Sequence, residues 1–198
     1  MTPPSTIPGY TCDSGSLAPS PVTLAEFELM QKSALFGAED LQHLRLSRAV
    51  LEPQVDAILD VWYGFVASQP HLLASFADPR SGSPVGEYLG AVRARFGQWI
   101  LDTARAEYDQ RWLDYQHEIG RRHHRTRKNS TDGARAAAHV PFRDLFLLVA
   151  PVTITLKPFL ARGGHPPEVV EKMHAAWVKS CLLQVTLWSH AYVCAGDF

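Results

Sequence analysis

The chain has little cysteine: Cys12, Cys181 and Cys194 are the three in 198 residues, with no CxxC spacing. They make neither a disulfide framework nor a cysteine zinc site, leave room for one disulfide at most, and fit a reducing, cytoplasmic setting. Excess charge of one sign is also missing. Lys and Arg number 19 against 20 Asp and Glu, a formal net charge of -1, so global electrostatics favour neither nucleic acid nor an anionic membrane as partner. No GxGxxG or GxxxxGK occurs, which removes nucleotide binding at a helix N-terminus, and no GxSxG marks a hydrolase nucleophile. His117-Glu118 lacks the second histidine of a zinc protease, because position 121 is arginine. The longest apolar stretch, around Leu145 to Leu156, is broken by Pro151 and carries Thr153 and Thr155, too short and interrupted to span a bilayer. MTPPSTIPGY at the start has neither a basic n-region nor an apolar h-region, so no signal peptide is expected.

What is present reads as one all-α domain. Residues 1–22, with Pro3, Pro4, Pro8, Pro19 and Pro21, form an arm that cannot pack as an element of its own. Thr23 and Glu26 make a capping box for a short helix to about Ser33, and a second helix runs from about Ala38 to Val50. Pro53 opens a third, with an inward stripe of Val55, Ile58, Leu59, Trp62, Phe65 and Val66, and Tyr63 on its shoulder. After the brief apolar turn HLLASF and the loop DPRSGSP, Pro84 starts a helix whose core face is Tyr88, Leu89, Val92, Phe96, Trp99 and Ile100. From Val140 to Ala161 a strongly apolar helix should kink at Pro151, with strand for VTIT as the weaker option. Pro166-Pro167 opens a long last helix offering Trp177, Leu182 and Trp188 for burial. The count is seven or eight helices, with no hairpin, alternating strand or repeat.

The stretch DYQHEIGRRHHRTRK, Asp114 to Lys128, carries the chemistry. Trp112, Tyr115 and Ile119 recur at helical spacing, and four more residues reach His123. His123 therefore faces the core, and His124, rotated by about 100°, faces solvent. Leu113, His117, Gly120 and His124 form a second, more polar stripe. A neutral imidazole ending an apolar stripe suits the proximal side of a haem, although a lone inward histidine reads first as a satisfied core residue. The run Arg121, Arg122, Arg125, Arg127 and Lys128 reads first as cations matched to a helix C-terminus, and otherwise as a phosphate-binding patch of a helical interaction protein. Trp62 and Tyr63 alone would be ordinary core.

Taken together, WYGFVAS, ARFGQWILDT, WLDYQHEIGRRHHR, PVTITLKPFLARGGHPPE and LQVTLWSHAYV resemble the protoglobins, single-domain relatives of globin-coupled sensors. The likeness runs from Ile7 to Phe198. It implies a globin fold, a 3-over-3 helical sandwich around haem, with an additional N-terminal helix. The domain would be 23–198, with the arm 1–22 covering the haem. It also implies haem b held through His123, the first of the histidine pair, and a distal side lined by Trp62, Tyr63 and Phe96. Leu145, Leu148 and Val152 follow as pocket wall, and a homodimer would form through the last two long helices. Two positions depart from the family: Arg121 stands where leucine is common, and Leu148 where phenylalanine often stands, which implies a roomier pocket.

On this reading the iron is five-coordinate and reversibly binds O2, CO or NO. His123 should donate from Nδ1 to the Ile119 carbonyl, fixing its tautomer. Tyr63 is the distal donor, a phenol protonated at neutral pH that favours O2 over CO. Arg95 is a candidate partner for a haem propionate. The alternative use of the same site is a haem enzyme: an NO dioxygenase, a peroxidase, or carbene or nitrene transfer in an engineered form. Neither nucleic acid nor a membrane is expected as a partner.

Overall fold

A computed structural model describes residues 7–12, 14–194 and 196–198. Among them run nine α-helices: α1 Leu24–Ser33, α2 Ala38–Leu51, α3 Val55–Ala67, α4 Pro70–Leu73, α5 Gly86–Arg105, α6 Gln110–His123, α7 Phe142–Leu147, α8 Val149–Ala161 and α9 Pro167–Ser189. No strand is present among the described residues; Ala77 and Pro84 make an isolated bridge. The VTIT segment is helical: α8 packs against α9 with Thr153 buried and Ile154 open, and this tertiary packing overrides β-propensity.

Local chemistry explains most boundaries. Thr23 caps α1 as expected: its Oγ1 accepts from Glu26 N at 3.2 Å while Glu26 accepts from Thr23 N at 2.8 Å. Pro53 sits in a 3-10 turn, Glu52–Gln54, joining α2 to α3. The apolar turn HLLASF is a short helix, α4, followed by the 3-10 turn Ala74–Phe76, so there are more helices than seven or eight. The expected kink is a one-residue interruption at Leu148, between α7 and α8. Pro151 has no N–H for the carbonyl of Leu147, four residues earlier, and its ring crowds that oxygen.

Helices α3, α8 and α9 lie side by side against α2, α5 and α6, with α9 central to the bundle. Trp177 on α9 is fully buried and donates from Nε1 to Ser47 Oγ of α2 at 2.9 Å. Gln184, equally buried, accepts from Trp99 Nε1 at 2.6 Å and donates to Thr103 and Ser180. Such satisfied polar groups fix the register of α5 on α9. Two residues read as inward face out: Phe65 is 38% exposed and Leu182 is 48% exposed. Both continue their stripes in sequence, but the partner helix lies to one side of each. Ile154 and Leu147 are also open to solvent. By length and composition the 20 residues Phe142–Ala161, mean hydropathy 1.6, suffice to cross a membrane, which the shorter stretch Leu145 to Leu156 did not suggest. In the fold they are two helices.

Candidate functional site

Helix α6 starts on Asp109, whose carboxylate accepts from Trp112 N at 2.9 Å, and ends on His123. The expected stripe separates into two jobs: Trp112 joins the core, while Tyr115, Ile119 and His123 line a cavity of about 210 Å³. One water needs roughly 10–15 Å³ on that measure, so the cavity is far beyond a packing defect. All nine residues singled out for the site lie on its wall: Trp62, Tyr63, Arg95, Phe96, Ile119, His123, Leu145, Leu148 and Val152. They come from α3, α5, α6, α7, α8 and the joint at Leu148.

His123 Nδ1 lies 2.9 Å from the Ile119 carbonyl. A carbonyl can only accept, so Nδ1 carries the proton and Nε2 keeps its lone pair for a ligand. Burial lowers the imidazole's pKa, partly offset by the Ile119 hydrogen bond, so the ring is neutral. The indole of Trp188 stacks on it, centroids 5.5 Å apart and planes within 13°. Gly120 allows this approach, since a Cβ there would sit 2.8 Å from the Trp188 backbone. His124 turns away from the cavity: its Nδ1 meets Thr126, and its ring meets Tyr192 edge-on at 5.0 Å.

A second wall is aromatic. Trp62 packs edge-to-face on Tyr63 and on Phe96, each at 5.0 Å between centroids. Trp62 Nε1 and Tyr63 OH are buried and have no hydrogen-bond partner among the described residues. Burial raises the Tyr63 phenol's pKa, which keeps its proton in place. Unpaired buried donors are rare because each costs about 1–3 kcal/mol, so two on one cavity wall mark where a ligand would sit. Phe76, from the 3-10 turn, completes this wall at 6.5 Å from Tyr63. Sequence reasoning missed it; a turn has no periodicity to mark its inward side.

The arm is tied to residues of the cavity wall. Arg122 donates to Gly9 O at 2.6 Å and to Thr11 Oγ1 at 3.0 Å, Tyr10 OH donates to Asp102 at 2.7 Å, and Ser20 N donates to Asp114 at 2.8 Å. Behind Arg122, the buried carboxylate of Glu118 accepts from Arg122 Nε and Arg127 Nε, both at 2.9 Å. Burial alone would raise that carboxyl's pKa; hydrogen bonds from Arg127 and Arg122 outweigh it, and the value falls below the usual range. Much of the basic run is therefore engaged inside the fold, beyond simply matching a helix end. Arg95 makes a two-pronged pair with Asp132 at 2.7 and 2.9 Å and donates to Pro8 O. Lys128 is 4% exposed, and burial pushes its ammonium down to about 8.

A helical sandwich wrapped on an apolar cavity, with one histidine nitrogen free on one wall and aromatic residues facing it, is the arrangement of a globin. The protoglobin family model matches residues 23–197, and the chain belongs to that family. Among solved structures, the globin domain of a Geobacter sulfurreducens globin-coupled sensor is similar at 15% identity, with a TM-score of 0.62, covering 83% of this chain and 96% of that one. That likeness speaks for the fold. No curated protein matches the chain. Family membership implies haem, and the donor set fits it: a neutral imidazole with a free Nε2, an apolar slot, and cations at its edge.

Proposed function

We propose that the cavity holds haem b with His123 Nε2 as the protein's ligand to iron, and that the protein reversibly binds O2, CO or NO as a gas-binding or sensing globin. When bound, the group supplies an iron with one coordination position free for a diatomic gas. The observation carrying this reading is the pairing of His123 Nε2 with the unpartnered donors Trp62 Nε1 and Tyr63 OH on one cavity. Tyr63 then donates to a gas that draws negative charge, while Phe96, Leu148 and Val152 exclude water. Among the described residues neither donor is engaged by another side chain, which leaves both free for a bound gas. The open apolar residues Ile154 on α8 and Leu182 on α9 support a homodimer through these helices. Cys181 and Cys194 are free thiols, in keeping with the cytoplasm.

The test is the visible spectrum of wild type, His123→Ala and His124→Ala, as isolated and as reduced with and without CO. Wild type and His124→Ala should show a Soret band that shifts reversibly with CO, and His123→Ala should lose histidine-ligated character. No haem in any of the three, after haem-replete expression, would defeat the reading.

A further inference from the structure

The cavity has one polar corner, and its charges are not balanced alike. Arg95 is already neutralised by Asp132 through two hydrogen bonds. Lys128, five residues beyond His123, is different. Its Nζ donates to the carbonyls of Ser75 and Ala137, each at 2.8 Å, and lies 5.0 Å from the centroid of the Tyr88 ring. Those partners are dipoles and a π-face. No carboxylate pairs with Lys128 among the described residues, although an ammonium has three donors. Three residues further along the chain, Thr131 Oγ1 is buried without a hydrogen-bond partner among the described residues, and both residues line the cavity. A buried cation without a counter-charge is costly, and a hydroxyl left unpaired on the same cavity adds to that cost. Both costs vanish if an anion occupies the corner.

We propose that Lys128, with Thr131, is the cavity's carboxylate anchor and that it holds a propionate of the tetrapyrrole. This rests on the haem reading and assigns the cofactor's charged edge to Lys128, with Arg95 kept as the strut that ties Asp132 and the arm. The position suits a fixed orientation. Lys128 Nζ is tied by two backbone carbonyls, so its remaining donor points one way at little further cost in rotamer entropy.

The experiment loads wild type, Lys128→Met and Lys128→Arg with haem and, separately, with haem dimethyl ester, whose propionates carry no charge. Loss of each cofactor to an excess of an apo-acceptor globin is followed at the Soret band. Lys128→Met should speed haem loss about tenfold to a hundredfold, as expected for a lost hydrogen bond between charged groups. It should leave ester loss unchanged, and Lys128→Arg should restore most of the retention. Equal acceleration for both cofactors would mean that Lys128 only ties the Ser75 and Ala137 carbonyls, and the proposal would fall. Should Lys128→Met not fold, Lys128→Gln, which keeps a neutral donor, carries the same comparison. Normal haem uptake with no cofactor-dependent difference sinks the anchor alone; no uptake by wild type sinks the haem reading with it.

Discussion

The two sides of the cavity are built on opposite rules. On the wall from α3 and α5, Trp62 Nε1 and Tyr63 OH have no hydrogen-bond partner among the described residues. Under the arm, the charged groups Glu118, Arg122, Arg95 and Asp132 are all matched within the fold. The first side carries donors that the described fold does not use, at a cost in stability; the second spends its charge on tying the arm to the cavity wall. The contrast separates what the protein reserves for a ligand from what holds it together, since a donor serving the fold would already have its acceptor. Substitutions on the two sides should therefore move different observables.

The largest effect on stability is expected at Glu118. Glu118→Gln removes the counter-charge of Arg122 and Arg127 and should cost about 2–3 kcal/mol, below the range for a fully buried pair because Arg127 is half exposed to solvent. Denaturant titration measures it, and proteolysis near Gly9 and Tyr10 should quicken. The same pair sets a pH window. Because Glu118's pKa is lowered on folding, its contribution is complete above the unfolded glutamate value of about 4.3 and fades as pH falls through the lower folded value. Thermal melts of wild type should thus lose stability below about pH 4 more steeply than those of Glu118→Gln. Matching slopes would blur the distinction between the two sides.

Tyr63→Phe comes next, with the opposite signature. It should weaken O2 binding about tenfold to a hundredfold, the worth of roughly 1.5–3 kcal/mol for a hydrogen bond to a charged acceptor, and weaken CO far less. Apoprotein stability should stay level or rise, since the phenol has no partner to lose. A variant that loses both gases equally, or that unfolds more easily, would put Tyr63 on the structural side of the comparison. Smaller again is Gly9→Ala. Gly9 has φ +73°, and a Cβ there would lie 2.6 Å from both Arg95 Nη1 and Thr131 Cγ2. The left-handed conformation alone costs an alanine about 1–2 kcal/mol. The expected result is faster haem loss with an unchanged ratio of O2 to CO affinity, read by acceptor exchange and gas titration.

Much of the helical scaffold was legible because its signals are local. The Thr23–Glu26 box, the stripe ending at His123 and the opening of α9 at Pro167 each depend on residues within a few turns of one another. The interruption expected at Pro151 falls at Leu148, because the proline acts on the carbonyl four residues before it. Phe65 and Leu182 show the rule's limit: a stripe tells which side of a helix is apolar, but the neighbour's position decides how much of that side is covered.

The sequence by itself determined an all-helical chain, its membership of a family recognisable from long motifs, and the inward turn of His123 ahead of His124, since helical periodicity is written into neighbouring residues. Only the tertiary structure decided which charged and polar groups end up satisfied. Arg95 meets Asp132 from 37 positions away, and Lys128 meets the carbonyl of Ser75 across 53. Gly120 lets the Trp188 backbone come close enough for its ring to stack on His123. Such pairings depend on how helices pack through the interior. They leave Trp62, Tyr63 and Lys128 with binding capacity that the chain itself does not use.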